Sequence, residues 1–197
     1  MSRGDGIPPD ALPASTLHVT ESKTAVSAKQ CARITPHSAA SNVIVVAFAT
    51  SPVRWIDQWH DSADDAPERV TVVVSERASW AAGHPRDRLE PALPSDTDVR
   101  VETVGSPDNF TDLGVTLTET LESYEERDDP PILCFQSLTL LLEYAALDQV
   151  CQFLHTLVGH IDQFGAAGHF HLHEHAHEER TVEKLRGLFD RVRNDPT

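Results

Sequence analysis

Val43-Ile44-Val45-Val46-Ala47-Phe48-Ala49 runs straight into Thr50-Ser51-Pro52. A continuous apolar, β-branched stretch of this length is too short for a typical helix. It suits a strand buried on both faces, as strands of a parallel sheet are. Ser51 then reads as a helix N-cap, and Pro52 takes the first helical position, where its missing N–H costs nothing. The segment is therefore a strand followed at once by a helix.

The same alternation extends in both directions. Upstream, Thr16–Thr20 (T-L-H-V-T) reads as a short strand, and residues 22–34 as a weak helix with Ala25, Ala28 and Ala32 on one side. Downstream, Val70–Ser75 is a second buried-type strand, and Val99–Val104 alternates apolar with polar residues, as a strand nearer an edge does. Residues 83–98, with Gly83, Pro85, Pro91 and Pro94, read as an exposed loop. Phe110, Leu113, Leu117, Leu121 and Tyr124 recur at steps of three and four and predict a helix over 109–126. Ile132–Phe135 is a buried strand, and Ser137–Tyr144 a short apolar helix. Asp148 caps a longer helix that runs to Phe164 and stops at Gly165. Ala167–His173 is another strand, and a last helix over 178–193 buries Val182, Leu185, Leu188, Phe189 and Val192. Strand–helix alternation predicts an α/β fold: a mainly parallel sheet with helices on both faces and right-handed crossovers. One domain over residues 16–197 is expected, preceded by a flexible arm at 1–15, where Gly4, Gly6, Pro8, Pro9 and Pro13 cluster.

Charge narrows the function. The chain of 197 residues has a formal net charge of −15, and its 16 basic residues are mostly Arg. An acid-rich, lysine-poor chain is what a salt-loving archaeon makes, since at about 1 M salt the Debye length falls to about 3 Å and surface carboxylates barely repel. An ordinary acidic protein is the plainer reading. Residues 1–40 carry a net charge of +1, so the remainder carries −16. No basic stripe is visible, which argues against a nucleic-acid partner. No apolar run reaches the roughly 20 residues of a membrane span. The N-terminal residues lack the apolar core of a signal peptide, so a cytoplasmic protein is expected. Cys31, Cys134 and Cys151 form no C-x-x-C pair. Cys134 and Cys151 lie in apolar runs, where free cysteine behaves as a small buried hydrophobe, in keeping with a reducing compartment.

From Asn42 to about residue 190 the order of landmarks resembles the RecA-type ATPase domain of the KaiC family. There, a strand ends in two glutamates before Ser-Pro and a helix; here it ends in Ala49-Thr50 before Ser51-Pro52. There, a later strand ends in Asp-Ser before an apolar helix; here I-L-C-F ends in Gln136-Ser137 before L-T-L-L-L-E-Y. The long helix and the strand reached through a small-residue turn correspond to 148–164 and G-A-A-G-H-F-H. The chain is also similar to a group of haloarchaeal proteins with a degenerate RecA-like domain.

The departures carry the functional reading. A phosphate loop needs glycines whose N–H groups wrap the anion, with a Lys and a Ser/Thr for phosphate and Mg²⁺. Lys23-Thr24 is the one fragment in the expected place, but Leu17–Glu21 holds no glycine, so the dipeptide reads as vestigial or fortuitous. Gln136 stands where the resemblance implies a magnesium-holding aspartate, and a neutral amide is a poor Mg²⁺ partner. Ala49-Thr50 leaves no carboxylate to activate water. The resemblance thus implies a RecA/KaiC-like module without a functional P-loop: no enzyme, no nucleotide cofactor, and a regulatory or signalling role through a protein partner or a homo-oligomer. A residual nucleotide site, or another doubly wound α/β protein, is the alternative.

One local feature stands apart. H-F-H-L-H-E-H-A-H places five histidines at alternate positions from His169 to His177. On a strand, His169, His171 and His173 share one face and could hold a transition metal, with Glu174 or Glu178 assisting. Against this, neighbours on a straight strand point outward in parallel and do not surround one ion. A further ligand, such as His155 or His160 from the preceding helix, would be needed; otherwise the histidines flank a strand and a helix start in solvent. Trp55, Trp59 and Trp80 read as core or loop anchors.

Overall fold

Seven strands, every one parallel to its neighbours, form a single sheet in the computed structural model, which describes residues 14–20, 31, 42–48, 51–61, 67–76, 85–124 and 130–195. The strands are β1 (Ser15–Thr20), β2 (Asn42–Ala47), β3 (Arg69–Ser75), β4 (Asp98–Val104), β5 (Ile132–Gln136), β6 (Ala167–His173) and β7 (Arg191–Asp195). The helices are α1 (Pro52–His60), α2 (Pro85–Leu89), α3 (Phe110–Glu122), α4 (Leu138–Tyr144), α5 (Leu147–Gln163) and α6 (Glu179–Arg186). Short 3₁₀ turns follow α2 and β6.

The strand order is β4-β3-β2-β5-β6-β1-β7. β2 and β5, the two strands that the expected resemblance singles out, are neighbours, with Val45 opposite Cys134 and Ala47 opposite Gln136. Chain order and space diverge at β1, which lies between β6 and β7, far from β2. Side-chain alternation splits each strand between two cores. Leu17, Val19, Ile44, Val46, Leu133, Phe135, Phe170 and Leu172 face α3, α4, α5 and α6. Val43, Val45, Val70, Val72, Val74 and Cys134 face Trp55, Ile56 and Trp59 of α1, Leu89 of α2, and Cys31. Connections that step toward β4 cross the second face, and those that step toward β7 cross the first. One consistent hand results, as a right-twisted parallel sheet requires.

Several helix signals act where the sequence places them. Asn109 caps α3 by accepting the N–H of Asp112 at 3.3 Å. Phe110 of α3 stacks on Phe153 of α5, centroids 4.9 Å apart. Gly165, at φ +63°, ends α5 in the left-handed region that glycine enters without strain. β4 lies at the edge of the sheet, as its alternation predicts.

Four expectations need correction. The last helix stops at Arg186, and Arg191–Asp195 is a strand paired with β1. Its single apolar residue, Val192, fits either reading, and hydrogen bonding to an open edge decides it. The loop at 83–98 contains α2, which buries Leu89 in the second core. Ser15 belongs to β1 and not to an arm; its hydroxyl donates to Asp190 at 2.9 Å. The N-cap of α5 is Ala146, so Asp148 lies in the first turn and not at the cap. Trp55 and Trp59 are buried, whereas Trp80 and nearly all of 22–34 and 1–13 lie outside the described residues. Among the described residues, no helix is long and apolar enough to cross a membrane.

Candidate functional site: a buried histidine–cysteine cluster

The alternation of β6 sends Phe170 and Leu172 into the larger core and His169 and His171 to the opposite face. β1 does the same beside it: Leu17 and Val19 enter the larger core, and His18 emerges opposite His171 in the strand register. On the other side of β6, Cys134 of β5 sits opposite His169. Cys31, from the segment that leads from β1 toward β2, closes over this face. Five polarisable side chains from four places in the chain are thereby gathered: His18, His169 and His171 are at most 7 % exposed, and both cysteines are fully buried. That degree of burial excludes water as a general partner, so the groups must satisfy one another.

They do so incompletely. His18 Nε2 and His169 Nδ1 are 3.2 Å apart, one donating to the other. The His18 ring lies between the other two, with centroids 5.4 Å from His169 and 5.0 Å from His171 and near-parallel planes. His171 Nε2 faces sulfur: Cys31 Sγ at 3.2 Å and Cys134 Sγ at 3.6 Å. Its Nδ1 is buried without a hydrogen-bond partner among the described residues. The sulfurs of Cys31 and Cys134 are joined as a disulfide, with Cα atoms 6.8 Å apart. This corrects the reading of Cys134 as an inert core thiol; Cys151 is the free, buried cysteine, its thiol pKa raised by burial.

Burial sets the protonation state. His169 is pushed down to about 3, first by desolvation, then by repulsion from His18 and Arg193. His171 lies well below the ordinary histidine value for the same first reason, with His18 and His169 adding to it. Both imidazoles are therefore neutral near pH 7 and keep a lone pair, the form in which histidine ligates. Cys31, Cys134 and His171 each offer a ligand atom, and these atoms lie within 4.8 Å of one another.

The histidine run divides. His169, His171 and His173 do share a face, but they do not converge on one point. His169 turns to His18, His171 to the sulfurs, and His173 Nδ1 donates to the Thr20 carbonyl at 3.2 Å. His175 stands at the edge of the His173 ring, 6.1 Å between centroids. Glu174 approaches Arg186, and Glu178 stands at the N-cap position of α6 without a side-chain capping bond. α5 packs on the opposite face of the sheet, where His160 bonds Thr118 at 2.8 Å and His155 is exposed, so neither reaches the cluster. The partners that do reach it, His18, Cys31 and Cys134, are remote in sequence. Their only local signal is the position of His18 and Cys134 on the same side of their strands as His171.

A second place of interest is the C-terminal end of β5. Gln136 is 3 % exposed, and both its amide nitrogen and its oxygen are buried without hydrogen-bond partners among the described residues. Ser137, next in the chain, has φ 69° and ψ 81°, a left-handed conformation that costs a non-glycine residue roughly 1–3 kcal/mol. Its hydroxyl oxygen accepts the N–H of Leu140 at 3.2 Å and starts α4. Lys23, Thr24, Ala49 and Thr50 lie outside the described residues.

Fold and site together define an α/β protein with a parallel seven-stranded sheet, a neutral amide at the end of a central strand, and a buried disulfide–imidazole cluster on one face. The chain belongs to the Family of unknown function (DUF7504), whose model matches residues 13–192. No curated protein matches it.

Proposed function

We propose that this protein is a non-catalytic, RecA/KaiC-like regulatory module that acts through protein contacts. The observation that carries the reading is Gln136. In open parallel sheets ligands bind outside the carboxyl ends of the strands, and the end of β5 there presents a buried, uncharged amide with no partner among the described residues. A metal–triphosphate site needs a carboxylate at such a point to hold Mg²⁺. The left-handed Ser137 beside it, a backbone strain of the kind that clusters at functional sites, supports reading this strand end as a site without the charge that phosphate chemistry requires.

Contact with protein suits the remaining surface. A net charge of −15 opposes nucleic acid. Between α3 and α5 runs a groove of about 710 Å³ lined by Phe110, Val115, Thr118, Phe153 and His160, with Val115 52 % exposed. Sedimentation equilibrium and ATP–Mg²⁺ calorimetry of the full chain in molar KCl test the reading together. A discrete oligomer or complex with no nucleotide heat into the millimolar range is expected. A strictly monomeric protein that binds ATP stoichiometrically overturns it.

A further inference from the structure

We propose that Cys31, Cys134 and His171 form a buried binding site for a divalent, zinc-class metal ion when the two cysteines are in the dithiol state. Three observations carry this. Cysteine thiolate and imidazole are the donors such ions prefer, and the three ligand atoms already lie within 4.8 Å of one another. With Zn–S near 2.3 Å and Zn–N near 2.0 Å, tetrahedral coordination asks for sulfur–nitrogen separations of about 3.5 Å. The distances to His171 Nε2 are 3.2 and 3.6 Å. Finally, in the disulfide state His171 is poorly satisfied: Nε2 meets only sulfur, and Nδ1 has no partner among the described residues. A buried polar group left in that condition calls for a ligand.

Charge selects the class of ion. Two thiolates and one neutral imidazole cancel a 2+ charge, so the complex leaves no net charge in an interior that would penalise one. A monovalent ion would leave one negative charge uncompensated. His18 stacks on His171 with centroids 5.0 Å apart and holds its ring beside the three ligands. The chemistry balances simply. A dithiol reductant delivers two electrons and two protons to the Cys31–Cys134 bond and leaves as its own cyclic disulfide. The divalent ion then displaces the two thiol protons to solvent. The sulfurs settle about 3.8 Å apart, the edge of a tetrahedron with 2.3 Å bonds. The site does not depend on the nucleotide reading of the β5 end, and it differs from a site built on the histidine run, since it takes one histidine of that run and two cysteines outside it.

The test uses tag-free full-length protein, reduced with a dithiol, freed of reductant under argon and titrated with Co²⁺ and then Zn²⁺. One equivalent of Co²⁺ should bind, giving a thiolate-to-cobalt charge-transfer band in the near ultraviolet, and Zn²⁺ should bleach it. Oxidised protein should give no such band. Cys31→Ser and His171→Gln should weaken Zn²⁺ binding by at least about a hundredfold, more than the loss of a partner outside the ligand shell. A His175→Asn/His177→Asn variant should bind as the parent does. Should the buried substitutions prevent folding, X-ray absorption at the zinc edge of the unaltered protein decides: two sulfur ligands support the site, and a shell of nitrogen and oxygen alone refutes it. Absence of stoichiometric uptake by the reduced protein also overturns the proposal, as does uptake that survives Cys31→Ser and disappears with His175 and His177.

Discussion

Removing the Cys31–Cys134 cross-link has a cost that can be worked from the chain. The two residues are 103 apart in sequence. Tying such a loop in the unfolded ensemble removes chain entropy, which for about 100 residues at 25 °C corresponds to about 4.7 kcal/mol of stability. Both partners are fully buried and lie in the core beneath α1, so Cys31→Ala/Cys134→Ala removes little polar surface and leaves only small voids. The double variant should therefore unfold at lower urea than the oxidised parent, with ΔG of unfolding reduced by about 4–5 kcal/mol. Its m-value should rise, because the uncrosslinked unfolded chain exposes more surface. The assay is equilibrium urea unfolding by far-ultraviolet circular dichroism at fixed high KCl, in metal-free buffer, for parent and double variant. Reduced, metal-free parent should fall near the double variant. A difference below about 1 kcal/mol between oxidised parent and variant, with unchanged m, would refute the claim that this bond constrains the unfolded chain.

Two other outcomes follow from the cluster and its surroundings. For the oxidised, metal-free protein, burial holds His169 neutral with a pKa of about 3 against an ordinary 6.5. The unfolded chain takes up a proton that the fold refuses, so stability is full above pH 6.5 and declines as pH falls toward 3. His169 alone should cost about 2 kcal/mol between pH 7 and pH 5, and His171 acts in the same direction; urea midpoints compared with those of His169→Gln check this, and equal pH slopes in the two proteins would contradict it. At Gly168 a Cβ would come within 2.8 Å of both Ile161 Cδ1 and Phe170 Cε2. Gly168→Ala should lower stability by roughly 1–3 kcal/mol, read as a drop in thermal midpoint, and a neutral result would mean that β6 and α5 are packed less tightly than described.

Much of the fold was legible because buried parallel strands advertise themselves. Val43–Ala47 and Ile132–Phe135 are continuous apolar runs, and a run buried on both faces has few other homes. The apolar stripe of α3 and the glycine after α5 were equally local signals. β7 was not legible, since Arg191-Val-Arg-Asn-Asp carries one apolar residue and becomes a strand only because β1 offers it an open edge. The candidate site was half visible. The alternation of β6 places His169 and His171 on one face, and that much follows from a period of two. Nothing in the sequence says that β1 threads between β6 and β7, yet that insertion is what brings His18 against His169 and His171. Cys31 and Cys134, separated by 103 residues, meet for the same reason: long-range strand order has no local signature.

The decisive assay is steady-state phosphate release from ATP with Mg²⁺ in molar KCl, by tag-free protein purified to homogeneity. No turnover above the buffer is expected, because the end of β5 offers an amide where the ion needs a carboxylate. Magnesium-dependent release that disappears when Lys23 alone is changed to Ala would contradict it.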